Sequence, residues 1–344
     1  MKTNNNQIIN KHTEELCISA VKENGYVLQY IENQSEKICL TAVKENGHAL
    51  KFVKEQTEEI CLAAVRQKGM ALQFVENQTI DICLTAVKQN GMALQFVIRQ
   101  TPEICLAAVK QDGYALKFVK EQTEEICMIA VNHKHDGCPL QFVENQTPEI
   151  CMTSVNQNPY SIQFVKEQTE ELCLISVKQN GWALKFVKNQ TPEICLAAVN
   201  QNGYALQYVK EQTEKICLAA VTIHGRALEF VENKTDEICL AAVKDTGWAL
   251  QFIDEQTPKI CLSAVKQNGM ALQFVKKQTP EICLAAVKQN GMALKYVKNQ
   301  TIEIILSAVK QNSTSISFVK NKTQQDLPKN KKLWFFEILK NKLK

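Results

Sequence analysis

The chain has 344 residues, 45% of them apolar, with 12 Gly, 8 Pro and a formal charge of +4. That apolar content excludes a disordered chain, and the scarcity of Pro and Gly excludes a fibrous or linker-rich one. Residues 323–344 carry six Lys against Asp326 and Glu337, so residues 1–322 sum to zero, unlike a globally basic nucleic-acid binder.

The N-terminal stretch 1–12, MKTNNNQIINKH, is polar and Asn-rich, and it reads as disordered. It lacks the apolar core of a secretory signal. The longest apolar runs further on, such as ICLAAV, are about six residues, against the ~20 needed to cross a bilayer. The expectation is a soluble protein of the cytoplasm.

From residue 13 the chain repeats itself. A Thr recurs at 13, 57, 79, 101, 123, 147, 169, 191, 213, 235, 257, 279 and 301, with Ser35 in the remaining place. The period is 22 residues except for 24 between Thr123 and Thr147, which makes 14 repeats over 13–322. Positions within a repeat are numbered here from that Thr.

Position 1 suits a helix N-cap, because its hydroxyl accepts from free N–H groups of the first turn. Position 2 is Pro at 102, 148, 192, 258 and 280, where the missing N–H is no loss. Position 3 is mostly acidic and position 10 mostly basic, matching the two ends of the helix dipole. All 12 Gly fall at position 13, Gly137 once the two extra residues of its repeat are discounted, where a C-cap of positive φ is expected. Positions 1–12 thus predict a first helix whose apolar face is 4, 5, 6, 8 and 9. Positions 14–22 predict a second, shorter helix with 14, 15, 16, 18, 19 and 22 on one face. One such pair cannot bury its own apolar surface, but stacked pairs can. The predicted fold is all-α: an α-solenoid of 14 tandem 22-residue helix–turn–helix repeats with a C-terminal helix.

The irregular segment 131–139, VNHKHDGCP, lengthens one turn and brings His133, His135, Asp136 and Cys138 together. Those are weak candidates for zinc or copper ligands, without a CxxC or second pair to support them. A surface insertion explains them as well, and the reading is no metal and no cofactor. His12, His48 and His224 are isolated. Residues 323–332 read as a polar linker. Residues 333–344, with Trp334, Phe335, Phe336, Ile338 and Leu339, read as a basic amphipathic helix. It caps the last repeat or, alternatively, attaches the chain to a membrane surface or to nucleic acid.

Of the 14 Cys, 13 sit at position 5 on the apolar face. Stacked helices lie ~8–10 Å apart, too far for equivalent Cys to be bridged. They read as reduced, buried small hydrophobes in a reducing compartment.

No dinucleotide fingerprint, phosphate loop, zinc-protease motif or nucleophile elbow is present, and the carboxylates recur where capping explains them. The reading is a non-enzymatic chain with no small-molecule substrate. Position 14 is the candidate interaction face: Tyr26, Met70, Met92, Tyr114, Tyr160, Trp182, Tyr204, Trp248, Met270 and Met292, with His48 and Arg226 in the same row. Such side chains serve as interface anchors, though half-buried fillers would look the same. The position 10 row from Lys22 to Lys310 could follow a phosphate backbone, but helix-dipole complementation accounts for it.

The strings AAVKQNGMALKY at 285–296 and AAVNQNGYALQY at 197–208 carry an Ala-Ala-Val-Lys-Gln-Asn-Gly block followed by Ala-Leu-Gln-Phe or Tyr. The chain resembles, over roughly 13–322, the repeats catalogued as domain of unknown function 4116. The resemblance implies tandem helical repeats without an assigned activity, and a source among giant viruses of amoebae or protist-associated bacteria. Localisation would then be host cytoplasm or virion. The HKHDGC insertion and Asn158-Pro159, in place of Asn-Gly, depart from the pattern and point to irregular stacking between about 131 and 161. The functional expectation is a repeat scaffold for a protein partner. The alternative is a structural or assembly component acting through its ends.

Overall fold

A computed structural model describes residues 2–133 and 137–320, with side chains from Thr13 onward. Every regular element among them is helical. The chain forms two compact units, residues 1–167 and 168–344. Unit 1 contains the α-helices α1 (Lys2–Glu23), α2 (Glu36–Glu45), α3 (Glu58–Gln67), α4 (Ile80–Gln89), α5 (Pro102–Gln111), α6 (Glu124–Val131) and α7 (Pro148–Gln157). Unit 2 contains α8 (Glu170–Gln179), α9 (Pro192–Gln201), α10 (Glu214–Ile223), α11 (Asp236–Asp245), α12 (Pro258–Gln267), α13 (Pro280–Gln289) and α14 (Ile302–Gln311). Within each unit a helix packs on its sequence neighbours, the organisation of an α-solenoid.

The caps behave as the repeat predicts. Thr57 is extended at φ −91°, ψ 159°, and its hydroxyl accepts from the Ile60 N–H at 3.4 Å. The same hydroxyl donates to Glu36 of the preceding repeat at 3.3 Å, so one side chain ends one helix and ties it to another. In repeat 3 the core is Ile60, Cys61, Ala64 and Val65 from the helix, with Ala71, Leu72 and Val75 from the following segment. Burying one such Ile, Leu or Val contributes ~1.5–3 kcal/mol.

Three expectations are corrected. The second helix is a six-residue 3-10 helix, as in Gly69–Phe74, and not an α-helix of positions 14–22. Where position 12 is Asn or Asp, an Asx turn launches it: Asn90 Oδ1 accepts from the Met92 N–H at 3.0 Å. It closes when the Val97 N–H reaches the Leu94 carbonyl at 3.1 Å. Three residues per turn and ~2 Å of rise let so short a segment span the repeat.

The position 13 Gly is no positive-φ cap either, since no described residue has positive φ. Position 12 caps the first helix in extended conformation, as Asn46 does at φ −142°, ψ 110°. Gly is needed because the next repeat presses on it: a Cβ at Gly69 would lie 2.4 Å from the Ala86 carbonyl oxygen.

Finally, α1 begins at Lys2, within the stretch read as disordered. Extending an existing helix adds one hydrogen bond per residue without a new nucleation cost, so modest helix formers join it.

The insertion shortens α6 to 8 residues and its 3-10 helix, Pro139–Phe142, to 4. As expected, the stacking is irregular and thinner here, although helix-on-helix packing continues through it. The Tyr114 ring lies on Gly137, where a Cβ would overlap it, and Tyr114 Oη accepts from the Cys138 N–H at 3.0 Å. Pro159 opens an ordinary six-residue 3-10 helix.

Two glutamine rows join the repeats inside each unit. The position 22 carboxamide serves both edges of the next turn. Gln56 Nε2 donates to the Phe74 carbonyl at 2.8 Å, and its Oε1 accepts from the Glu76 N–H at 3.1 Å. The Cys61 thiol also points at Oε1, 3.5 Å away. The position 11 side chain reaches back to the preceding Gly, as Gln89 does to the Gly69 N–H at 2.6 Å. At two positions where Gln is replaced, a neighbour or the new residue keeps the bond: His224 Nδ1 accepts from the Gly203 N–H, and Asp245 Oδ2 from the Gly225 N–H. Each such bond contributes ~0.5–1.5 kcal/mol, and leaving its buried partner unmet costs ~1–3.

Candidate interaction surface

The 3-10 helix decides where position 14 goes. With three residues per turn, positions 13, 16 and 19 stack inward, while 14 lies above 17. Position 17 is solvent-facing and polar, Gln or Lys in all but Glu229 and Ser317, so position 14 sits at the rim of the core. In unit 1, Tyr26, Met70, Met92, Tyr114 and Tyr160 are all half-buried. In unit 2, Trp182, Tyr204, Met270 and Met292 are half-buried, and Trp248 is 37% exposed.

Four of the Tyr and Trp rings at position 14 meet the aromatic at position 18 of the following repeat. Tyr26 contacts Phe52 edge-on at 6.1 Å, Tyr114 contacts Phe142 at 5.7 Å, Trp182 contacts Tyr208 at 5.8 Å, and Trp248 contacts Phe274 at 5.5 Å. The position 18 rings are themselves mostly half-buried, and Tyr30 is 79% exposed. Lys side chains at position 17 cover some of them, Lys51 over Phe52 at 4.5 Å and Lys295 over Tyr296 at 4.6 Å. The result in each unit is a strip of Tyr, Phe and Met, joined in unit 2 by Trp182 and Trp248, edged mostly by Lys and Gln.

The row also holds His48, edge-on to Phe74 at 5.7 Å. Partial burial holds its pKa below the ordinary value, with help from the Lys68 and Lys51 charges. His224 stacks on Tyr204 at 4.8 Å.

Of the metal candidates, His135 and Asp136 lie outside the described residues. His133 Nε2 is 3.0 Å from the Lys110 carbonyl oxygen, and the Cys138 thiol donates to Ser161 Oγ at 3.0 Å. These contacts serve the packing of the enlarged turn. The C-terminal segment 321–344, with the linker and the capping or anchoring helix read from sequence, is also outside the described residues.

All 14 Cys are free, and all but the half-buried Cys17 are buried. Burial raises the thiol pKa from Cys39 to Cys283, and nearby Glu76 and Glu58 add to it at Cys61, which reaches about 11. Such thiols are poor nucleophiles at neutral pH.

Sequence reasoning missed one surface. Position 6 was placed on the buried face of the first helix, yet its Leu side chains are only half-buried. In unit 1 they line a cleft of about 550 Å³ formed by Leu84, Lys88, Glu103, Leu106, Ala107 and Lys110. The available signal was the 3, 6, 7, 10 spacing, which puts an acid, a Leu, a small residue and a base on one helical stripe.

Against this geometry, the profile of the family described as Domain of unknown function (DUF4116) matches residues 13–57, 35–79, 57–98, 79–122, 147–191, 169–213, 191–235, 257–301 and 280–324. The chain belongs to this family. The matches leave out 123–146, the repeat that carries the insertion, and 236–256. No curated protein and no solved structure matches the chain. Among the described residues, no helix is long and apolar enough to cross a membrane.

Proposed function

We propose that this DUF4116 protein is a non-enzymatic scaffold that holds a protein partner on the strip of position 14 and position 18 side chains. The observation that carries the reading is the half-burial of that strip. Tyr26, Tyr114, Trp182 and Trp248 are fixed by edge-on rings behind them, yet each keeps a face toward solvent. Anchors pre-ordered in this way lose little side-chain entropy on binding, and Tyr and Trp dominate interface energetics. The Lys and Gln edge supplies a polar rim. Free, buried thiols throughout both units fit a reducing compartment such as a cytoplasm.

The test is capture from a cell lysate by the intact chain and by the Trp182→Ala and Trp248→Ala variants. The reading requires one salt-resistant protein partner whose yield falls at least about tenfold in a variant that keeps the parent helicity. Equal capture by both variants overturns it.

A further inference from the structure

We propose that the stripe of positions 3, 6, 7 and 10 is a self-complementary face on which a second copy of this chain docks, with the two stacks running parallel. The face is an unpartnered one, separate from the aromatic strip. Its middle is Leu at position 6 beside Ala, Ser or Thr at position 7 in most repeats, both half-buried. Its borders are exposed charge: Glu15, Glu59, Asp81 and Glu103 on one side, and Lys22, Arg66, Lys88 and Lys110 on the other, in unit 1. Unit 2 repeats the arrangement with Glu171, Glu237, Glu281 and Glu303 against Lys178, Lys244, Lys288 and Lys310.

Charge and size select the occupant and its orientation. Within one helix, positions 3 and 10 are ~10 Å apart, too far to pair with each other. A two-fold axis along the stack, passing between positions 6 and 7, turns each helix antiparallel to its copy. Position 3 then faces position 10 of the partner, and position 10 faces position 3. The same operation seats each Leu of position 6 on the small residue at position 7 opposite it. Glu103 meets Lys110 and Leu106 meets Ala107, each twice by symmetry, as an isologous contact requires. A two-fold axis across the stack instead places Lys on Lys and Glu on Glu. Eight of the 14 repeats carry the acid–base pair, and two, with Lys37 and Lys44 or Lys259 and Lys266, oppose like charges. Seven helices of ~15 Å stacked ~9 Å apart present roughly 900 Å² per unit, near the ~800 Å² per partner of a standard stable interface.

The test is sedimentation velocity of the full chain from low to high micromolar concentration. The proposal expects a particle of twice the 38.9 kDa chain mass. Glu103→Lys with Glu281→Lys raises the dimer dissociation constant by about tenfold or more, and adding Lys110→Glu with Lys288→Glu brings it back. That rescue is a readout that a mere folding defect does not give. For orientation, Ala107→Cys joins two copies through a short bis-maleimide well above the wild-type background, since every native thiol but the half-buried Cys17 is buried. A chain that stays monomeric throughout overturns the proposal. So does a dimer indifferent to the charge exchange, or one that Ala107→Cys fails to cross-link.

Discussion

Gly69 lies against the carbonyl oxygen of Ala86, so close that a methyl group on it would sit 2.4 Å away. The obstacle is backbone, and that backbone belongs to the next helix, α4. Gly69→Ala therefore pushes two repeats apart. Overpacking of this kind costs ~1–3 kcal/mol. Chemical denaturation of Gly69→Ala should show a loss in that range, whereas Ser313→Ala should stay within about 0.5 kcal/mol, the usual span of a neutral surface change. Ser313 occupies the Gly position in the last described repeat, which no further described helix follows. Equal effects at the two sites would refute this reading of the Gly.

Repeat 10 carries Lys234 where its neighbours have Gln, and the Lys ammonium turns back to the Val231 carbonyl at 2.8 Å. An ammonium has no acceptor for the Asp254 N–H and does not reproduce the Gln bond to the Phe252 carbonyl. Lys234→Gln should restore both and raise stability by ~1 kcal/mol. The matching loss, about 2–3 kcal/mol, is expected for Gln56→Leu, which strands two main-chain groups. Urea melts of the two variants decide it.

Alkaline pH should unfold the chain through its thiols. Their folded pKa values lie above the unfolded value, so the stability they contribute is complete below pH ~9 and is lost as pH rises beyond it. For Cys61 the loss runs from about 9 to about 11. Melting temperatures measured from pH 7 to 10.5 should fall above 9, and less steeply in Cys61→Val. Thiol titration at pH 8 should find the buried Cys protected until denaturant is added.

His48 has the opposite sense. Its folded pKa is depressed, so the stability it lends is present above the unfolded value of ~6.5 and drains as pH falls below it. An NMR titration of its ring should give a midpoint below 6.5, and His48→Phe should weaken the acid sensitivity. A midpoint above 6.5 would contradict the burial seen here.

The period, the Thr caps and the inward Cys were all legible in the sequence, because each depends on one residue type at one spacing. The second helix was misread because six residues are too few to separate a period of 3.0 from 3.6. The Gly row was misread because positive φ and close approach demand the same residue. Gln56 and its equivalents were the clearest missed signal: 12 repeats place Gln on an otherwise apolar face at position 22. A polar side chain kept there implies a buried partner. Position 14 was legible as a row of large side chains, but its half-burial and its pairing with the position 18 rings were not, because both depend on the 3-10 geometry. The Leu stripe was hidden by the assumption that every apolar position faces the core.

The glutamine rows bind each described repeat only to the one before and the one after it in its unit. Mechanically, such a stack is a row of identical catches in series. Pulled from one end, it should open one catch at a time, each releasing ~75 Å of extended chain for 22 residues. The force trace would be a sawtooth of near-equal teeth, with a weaker tooth where Lys234 replaces the catch.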